Sequence, residues 1–190
     1  MSCPLHAWGD ESIRTRGLPA PAYLLGASVL DLQDTDATRA QLLALHTGGS
    51  KLHWYELDAA HRRQVADAVR TAAAGHLIVI ARPIDMRRQE RARAACLRRL
   101  VWELVEVGVS QLTLEARPDA LNTRDRRTVD DLRVRGAIPP TMRVEHGHPS
   151  EDALLWLPDQ ALGLVGESIV RGHDHHMTLG NWTRVVEIEP

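Results

Sequence analysis

A chain of 190 residues, 44% hydrophobic and 25% charged, can bury a real core and has the balance of a folded protein rather than a disordered one. Its formal net charge of −2 gives no global attraction to nucleic acid or to a membrane, so any such affinity must come from local patches. Cys3 and Cys96 form no CxxC pair, no charged segment precedes an apolar stretch at the start, and no apolar run approaches the ~20 residues that span a bilayer. These features argue against a disulfide scaffold, a structural zinc site, a signal peptide and a membrane anchor, and they predict a soluble cytoplasmic protein.

In chain order, residues 5–8 read as a short strand, and AWGDES places Asp10 and Glu11 where it stops. Residues 11–21, with one Gly and two Pro, read as a loop, and YLLGASVLDL (23–32) as a second strand that closes a hairpin with the first. Asp34, Thr35 and Asp36 offer caps for a helix that stops at Gly48 and Gly49. Asp58 caps another, with Val65, Ala68, Val69 and Ala72 as its apolar stripe. HLIVIARP from His76 is a buried strand. A long helix over 87–107 follows, with Ala92, Cys96, Leu100, Leu104 and Val107 on one face. A strand over 111–115, a helix over 123–135 and a short strand in TMRVEH come next. A helical region then spans about 150–170, which Pro158 must kink or restart, and RVVEIE supplies a last edge strand. A leading hairpin followed by strand–helix alternation predicts one α/β domain over 1–190. Its mixed sheet has five to six strands, helices on both faces and a helical insertion at about 34–75.

Chemistry in such sheets gathers at the carboxyl ends of the parallel strands. Asp10 ends the first strand, Glu115 ends LTLE, and Asp159 lies early in WLPDQALGLVG. Gly163 and Gly166, four and seven residues later, leave that helix face bare. A bare face lets the helix approach the sheet and aim its carboxylate at the strand ends. Mg²⁺ and Mn²⁺ prefer such hard oxygen ligands, and two ions about 3.5–4 Å apart activate water in phosphodiester cleavage. Each acid also has an ordinary role: Asp10 and Glu11 as turn formers, Glu115 as a solvated strand end, Asp159 as a first-turn acid. Only their joint pattern points to a metal site.

With GDES after the first strand, YLLGASVL as the second, KLHW after an insertion and LLWLPDQALGLVG near the end, the chain resembles the ribonuclease H-like superfamily. Within it, the likeness is to the uncharacterised prokaryotic branch known as domain of unknown function 3800. The resemblance covers most of the chain. It implies a divalent-metal-dependent nuclease with Asp10, Glu115 and Asp159 as metal-holding carboxylates, Glu11 in support and a nucleic-acid partner. It departs from the superfamily in having Glu where Asp is common, with Asp119 as a substitute, and in offering only Glu90 or Glu103 as a fourth acid. Loss of a ligand would leave an inactive interaction module, able to act as a homodimer.

His53, after a glycine-containing loop, could assist proton transfer if that loop covers the carboxylates; as a lone histidine it could equally be structural. RPIDMRRQERARAACLRR concentrates Arg82, Arg87, Arg88, Arg91, Arg93, Arg98 and Arg99. Such spacing suits a solvated helix face or a phosphate-tracking patch, of which Arg87, Arg88, Arg91 and Arg98 are the candidates. Lys51 is the only lysine. His173, His175 and His176 could bind Zn²⁺, without the motif that would fix its geometry. No phosphate-cradling GxxxxGK[ST], strand-following GxGxxG or GxSxG elbow occurs, which disfavours P-loop, Rossmann and α/β-hydrolase chemistry.

Overall fold

The computed structural model describes residues 5–49, 51–72, 74–171, 179 and 182–190. Its six-stranded sheet has the order β5-β4-β1-β2-β3-β6, with β1 Leu5–Arg14, β2 Ala22–Asp31, β3 Ala74–Ala81, β4 Val109–Glu115, β5 Arg143–Gly147 and β6 Thr183–Ile188. β2 runs antiparallel to both β1 and β3, while the β1–β4, β4–β5 and β3–β6 pairs are parallel. All strands but β2 therefore end on the same side of the molecule.

Both faces of the central strands are apolar, as helices on both sides require. Trp8, Leu24, Leu30, Ile78 and Ile80 pack against α1 (Thr35–Leu45), α2 (Ala59–Thr71) and α5 (Trp156–Arg171). The alternate residues Ala7, Leu25, Leu77 and Val79 pack against α3 (Gln89–Glu106) and α4 (Asp119–Val134). α5 lies close to the sheet because β2 carries Gly26 beneath it: a Cβ there would stand 2.9 Å from Leu162 Cδ2. Among the described residues, no helix is long and apolar enough to cross a membrane.

The first strand is longer than its apolar start predicts. β1 pairs with β2 from Leu5↔Asp31 to Arg14↔Ala22, so Asp10 and Glu11 lie within a strand and the loop shrinks to residues 15–21. On its other side β1 pairs with β4 only as far as Gly9↔Leu114. Asp10 is thus the first residue at which β1 outruns that neighbour.

Asp58 caps α2, its carboxylate accepting from the amides of Ala60 and His61. Asp34 stands at the start of α1 but makes no side-chain cap bond. α4 begins at Asp119, directly after Pro118; Thr123 is interior and donates its hydroxyl to the Asp119 carbonyl. Pro158 restarts rather than kinks the last helix. It is the third residue of α5, where its missing N–H would have had no intrahelical partner.

Candidate active site

Alternation along β1 fixes which carboxylates can meet. Trp8 faces α5 and Ala7 faces α3, so Asp10 points to the α5 side and Glu11 to the α3 side. On β4, Leu112 and Leu114 face α3, which turns Glu115 to the α5 side beside Asp10. Between these two carboxylates sits the ammonium of Lys51, 2.8 Å from Glu115 Oε2 and 3.6 Å from Asp10 Oδ2.

Asp159 closes the cluster from α5. Buried at 5% exposure, its Oδ2 accepts from the Trp54 amide at 3.2 Å and from Gln160 Nε2 at 3.3 Å, and lies 2.7 Å from His53 Nδ1. The contact to His53 puts the proton of the neutral ring on Nδ1. Gln160 Nε2 also donates to the Leu52 carbonyl at 2.7 Å. Two consecutive residues of α5 thus hold the 51–54 strap over the strand ends.

Gly163 makes room for that strap, and Gly166 makes room for a side chain that β1 sends up against α5. A Cβ on Gly163 would stand 2.2 Å from Trp54 Cγ, and one on Gly166 would stand 2.3 Å from Arg14 Nε. The bare helix face is a seat for an indole and a guanidinium. Trp54 Nε1 donates to Glu167 Oε1 at 2.9 Å, and Arg62 Nε to the Trp54 carbonyl at 3.1 Å.

The electrostatics follow from this crowding. Burial raises the proton affinity of Asp10 well above the ordinary carboxylate range; Glu115, Asp159 and Glu11 push the same way, and Lys51 opposes them. Burial works against the charge on Lys51, yet Asp10, Glu115 and Asp159 hold its pKa above the usual value. Two acids share one lysine, and the field of a third reaches it.

Glu11 belongs to a different cluster. Arg93, at 1% exposure, donates from Nη1 to Glu11 Oε2 at 2.5 Å and to the Tyr23 hydroxyl at 3.2 Å. It grips Asp125 with Nε at 2.9 Å and Nη2 at 2.8 Å. Arg117 joins Asp125 at 3.1 Å and Glu90 at 2.8 Å, and His146 Nε2 lies 3.2 Å from Asp125. Burial alone would raise the Asp125 pKa, but hydrogen bonds from His146 and Arg93 and the nearby guanidinium charges hold it below the ordinary range.

The remaining sequence candidates disperse. Glu90 is tied to Arg117, and fully buried Glu103 is tied to Arg99 and Arg184. Neither is a fourth acid for the site, and Asp119 is exposed in the first turn of α4. Arg87, Arg88, Arg91 and Arg98 are exposed, but Arg91 and Arg98 belong to α3, which covers the sheet face opposite Asp10, and Arg87 and Arg88 lie in the turn that leads into it. Arg82 and Arg93 are engaged with carboxylates. His173, His175 and His176 lie outside the described residues. Sequence reasoning missed the placement of Lys51: one lysine has no spacing pattern, and its rarity was the only signal. It also missed Arg14, whose strand position was hidden by the assumed loop.

The donor set suits a hard divalent cation in kind, being three carboxylates from separate elements. Lys51 already stands where Asp10 and Glu115 need positive charge, and it marks the point such an ion would serve. Among the described residues, no three His, Cys, Asp or Glu side chains already close on a common metal position.

No family model matches the chain, and no curated protein does. Its backbone has solved relatives. Ribonuclease HII of Archaeoglobus fulgidus, solved in complex with PCNA, aligns with a TM-score of 0.53 at 13% identity, over 88% of this chain and 74% of that one. Ribonuclease H2 of Pyrococcus horikoshii gives 0.49 at 11% identity over 81% and 69%. Bst-RNase HIII in complex with Mn²⁺ gives 0.45 at 12% over 88% and 56%. The likeness to the first is one of fold: a mixed six-stranded α/β sheet of ribonuclease H-like architecture.

Proposed function

We propose that this chain is a divalent-metal-dependent nuclease that hydrolyses phosphodiester bonds of a nucleic acid. One observation carries the reading: Asp10 and Glu115, remote in sequence, share the Lys51 ammonium at the carboxyl ends of the parallel strands, and Asp159 adds its charge to the same place from α5. They would hold Mg²⁺ or Mn²⁺, which when bound polarises a phosphoryl oxygen and lowers the pKa of a bound water. Asp10, the acid with the most strongly raised proton affinity, gains most from added positive charge. Lys51 keeps Asp10 and Glu115 assembled. His53, oriented through Nδ1 by Asp159, is placed to hold or move a proton at Nε2. Glu11, turned to the other face, anchors the strand through Arg93. The free, buried Cys96 suits a reducing cytoplasm. The finer placement in the branch called domain of unknown function 3800 rests on GDES, KLHW and the late helix, which together supply Asp10, Lys51, His53 and Asp159.

A second reading, an inactive interaction module that could pair with its own copy, draws support from Lys51, which partly neutralises the carboxylates without metal. Two measurements separate them. Mn²⁺ should raise the melting temperature of the wild type and not of Asp159→Ala. Labelled DNA, RNA or hybrid should be cut by the wild type and left intact by Asp10→Asn. Undiminished metal-dependent cleavage by Asp10→Asn defeats the nuclease assignment; no Mn²⁺ response and no cleavage by the wild type favours the module.

A further inference from the structure

β1 carries a second chemical group on the same face as Asp10. Arg14 lies four residues further along, roughly 13 Å away at ~3.3 Å per residue, and with Ser12 it continues the row that faces α5. Its guanidinium is held between the Gly166 backbone and the Tyr55 ring, 4.6 Å from the ring centroid. Nη2 donates to the Leu162 carbonyl at 3.2 Å, while the buried Nε finds no acceptor in the protein.

Around this group lies a cleft of about 530 Å³ whose lining includes Arg14, Arg16, Arg171, Tyr55 and Glu167. Three guanidinium groups face one carboxylate. That carboxylate is already engaged: Glu167 binds Trp54 Nε1 at 2.9 Å and Arg62 at 3.3 Å, and Arg171 approaches it at 3.6 Å. The cleft is therefore an excess of planar, multiply donating cations on a slightly acidic protein, a combination suited to phosphate.

It is also built from the same elements as the carboxylate cluster. The strap that contributes Lys51 and His53 to the cluster contributes Tyr55 to the cleft, and the strand that carries Asp10 carries Arg14. α5 supplies Asp159 at one end and Arg171 at the other. The arginines of α3, by contrast, cover the far face of the sheet.

We infer that this cleft holds the phosphodiester backbone of a nucleic-acid strand that runs on to the carboxylate cluster, where a phosphate further along the same strand lies. The inference rests on the proposed nuclease reading and names where its substrate runs. Arg16 and Arg171 grip phosphate oxygens at the rim, Arg14 supplies the fixed charge at the base, and Tyr55 keeps Arg14 in place.

The test is binding of a fluorescein-labelled single-stranded oligonucleotide in EDTA, read by anisotropy across a salt series. The Arg16→Ala/Arg171→Ala double variant removes exposed side chains, so folding is not at issue. It should bind several-fold more weakly whatever the base sequence, and its plot of log affinity against log salt should flatten by about 1.4, since each single-strand phosphate contact contributes about 0.7. Unchanged affinity and slope overturn the proposal, as does a wild type that fails to bind. A larger loss from Arg98→Glu than from the double variant also overturns it, because the strand would then cross α3. Displacement of the oligonucleotide by inorganic phosphate at equal phosphate concentration would make the cleft a free-anion site and overturns it too. EDTA keeps the two readings apart. A missing Mn²⁺ response removes the nuclease and leaves the binding result standing; intact binding by the double variant removes the cleft and leaves the metal site standing.

Discussion

On the α3–α4 side of the sheet, Glu11 and Asp125 share Arg93, and Arg117, Glu90 and His146 complete the group. On the α5 side, one residue earlier in the same strand, Asp10 shares a single ammonium with Glu115, and Asp159 adds further negative charge. The first cluster uses guanidinium forks whose donors match the carboxylate oxygens in pairs. The second has one point charge for three acids. Depressed proton affinity at Asp125 and raised proton affinity at Asp10 express the difference: one group is electrostatically closed, the other still lacks positive charge. A closed cluster holds a fold together, and a deficient one is where a ligand is expected.

The hardest blow to this contrast is Arg93→Ala. Removing the shared cation leaves Asp125 buried without its main partner and frees Glu11. The loss should be about 3–5 kcal/mol, measured by urea unfolding of the metal-free protein. A loss below about 1 kcal/mol would mean that the cluster is not the clamp described. Gly163→Ala strikes the other side. Its methyl group would invade the Trp54 ring, costing up to about 3 kcal/mol of overpacking, and should loosen the strap that carries Lys51. Weakened Mn²⁺ stabilisation along with a lower melting temperature would show both effects; full retention of both would separate strap from site.

The smallest expected effect is a sign. Raised proton affinity at Asp10 means the folded state takes up a proton more readily than the unfolded chain, so ionised Asp10 destabilises the metal-free protein at neutral pH and is relieved as pH falls. Asp10→Asn should therefore be the more stable protein at pH 7, with the advantage shrinking in acid. Asp125 works in reverse. Its stabilisation is present above the ordinary carboxylate pKa of about 3.9 and disappears as pH falls through its lower folded value, so Asp125→Asn should be less stable at pH 7. Melting curves of both variants from pH 2 to 8 test the opposition; parallel responses would contradict it.

Apolar periodicity made most of the fold legible. β2 and β3 are continuous apolar runs buried on both faces, and the cap at Asp58 and the proline restart at 158 follow from local chemistry. β1 was cut short because Asp10, Glu11, Ser12 and Arg14 look like loop residues. They form a strand because β2 supplies their backbone partners, and Asp10, Glu11 and Arg14 each have a cluster or cleft to enter. The approach of Asp10 and Glu115 to one another was readable from strand-end logic. Assigning Glu11 to the same site was not sound, since neighbouring strand residues face opposite ways. The glycines of α5 announced a bare helix face, yet periodicity cannot say what fills one. Nothing local in KLHWY links Trp54 to a glycine more than a hundred residues away.

Between Lys51 and Tyr55 the chain makes a row of attachments: an ammonium in the carboxylates, a carbonyl on Gln160, an imidazole on Asp159, an indole against Gly163 and a phenol over Arg14. Five adjacent residues act like the teeth of a zip. Drawing the lysine out of its pocket tugs on the tooth beside it, so a change at the acidic end reaches the basic end within five residues of backbone.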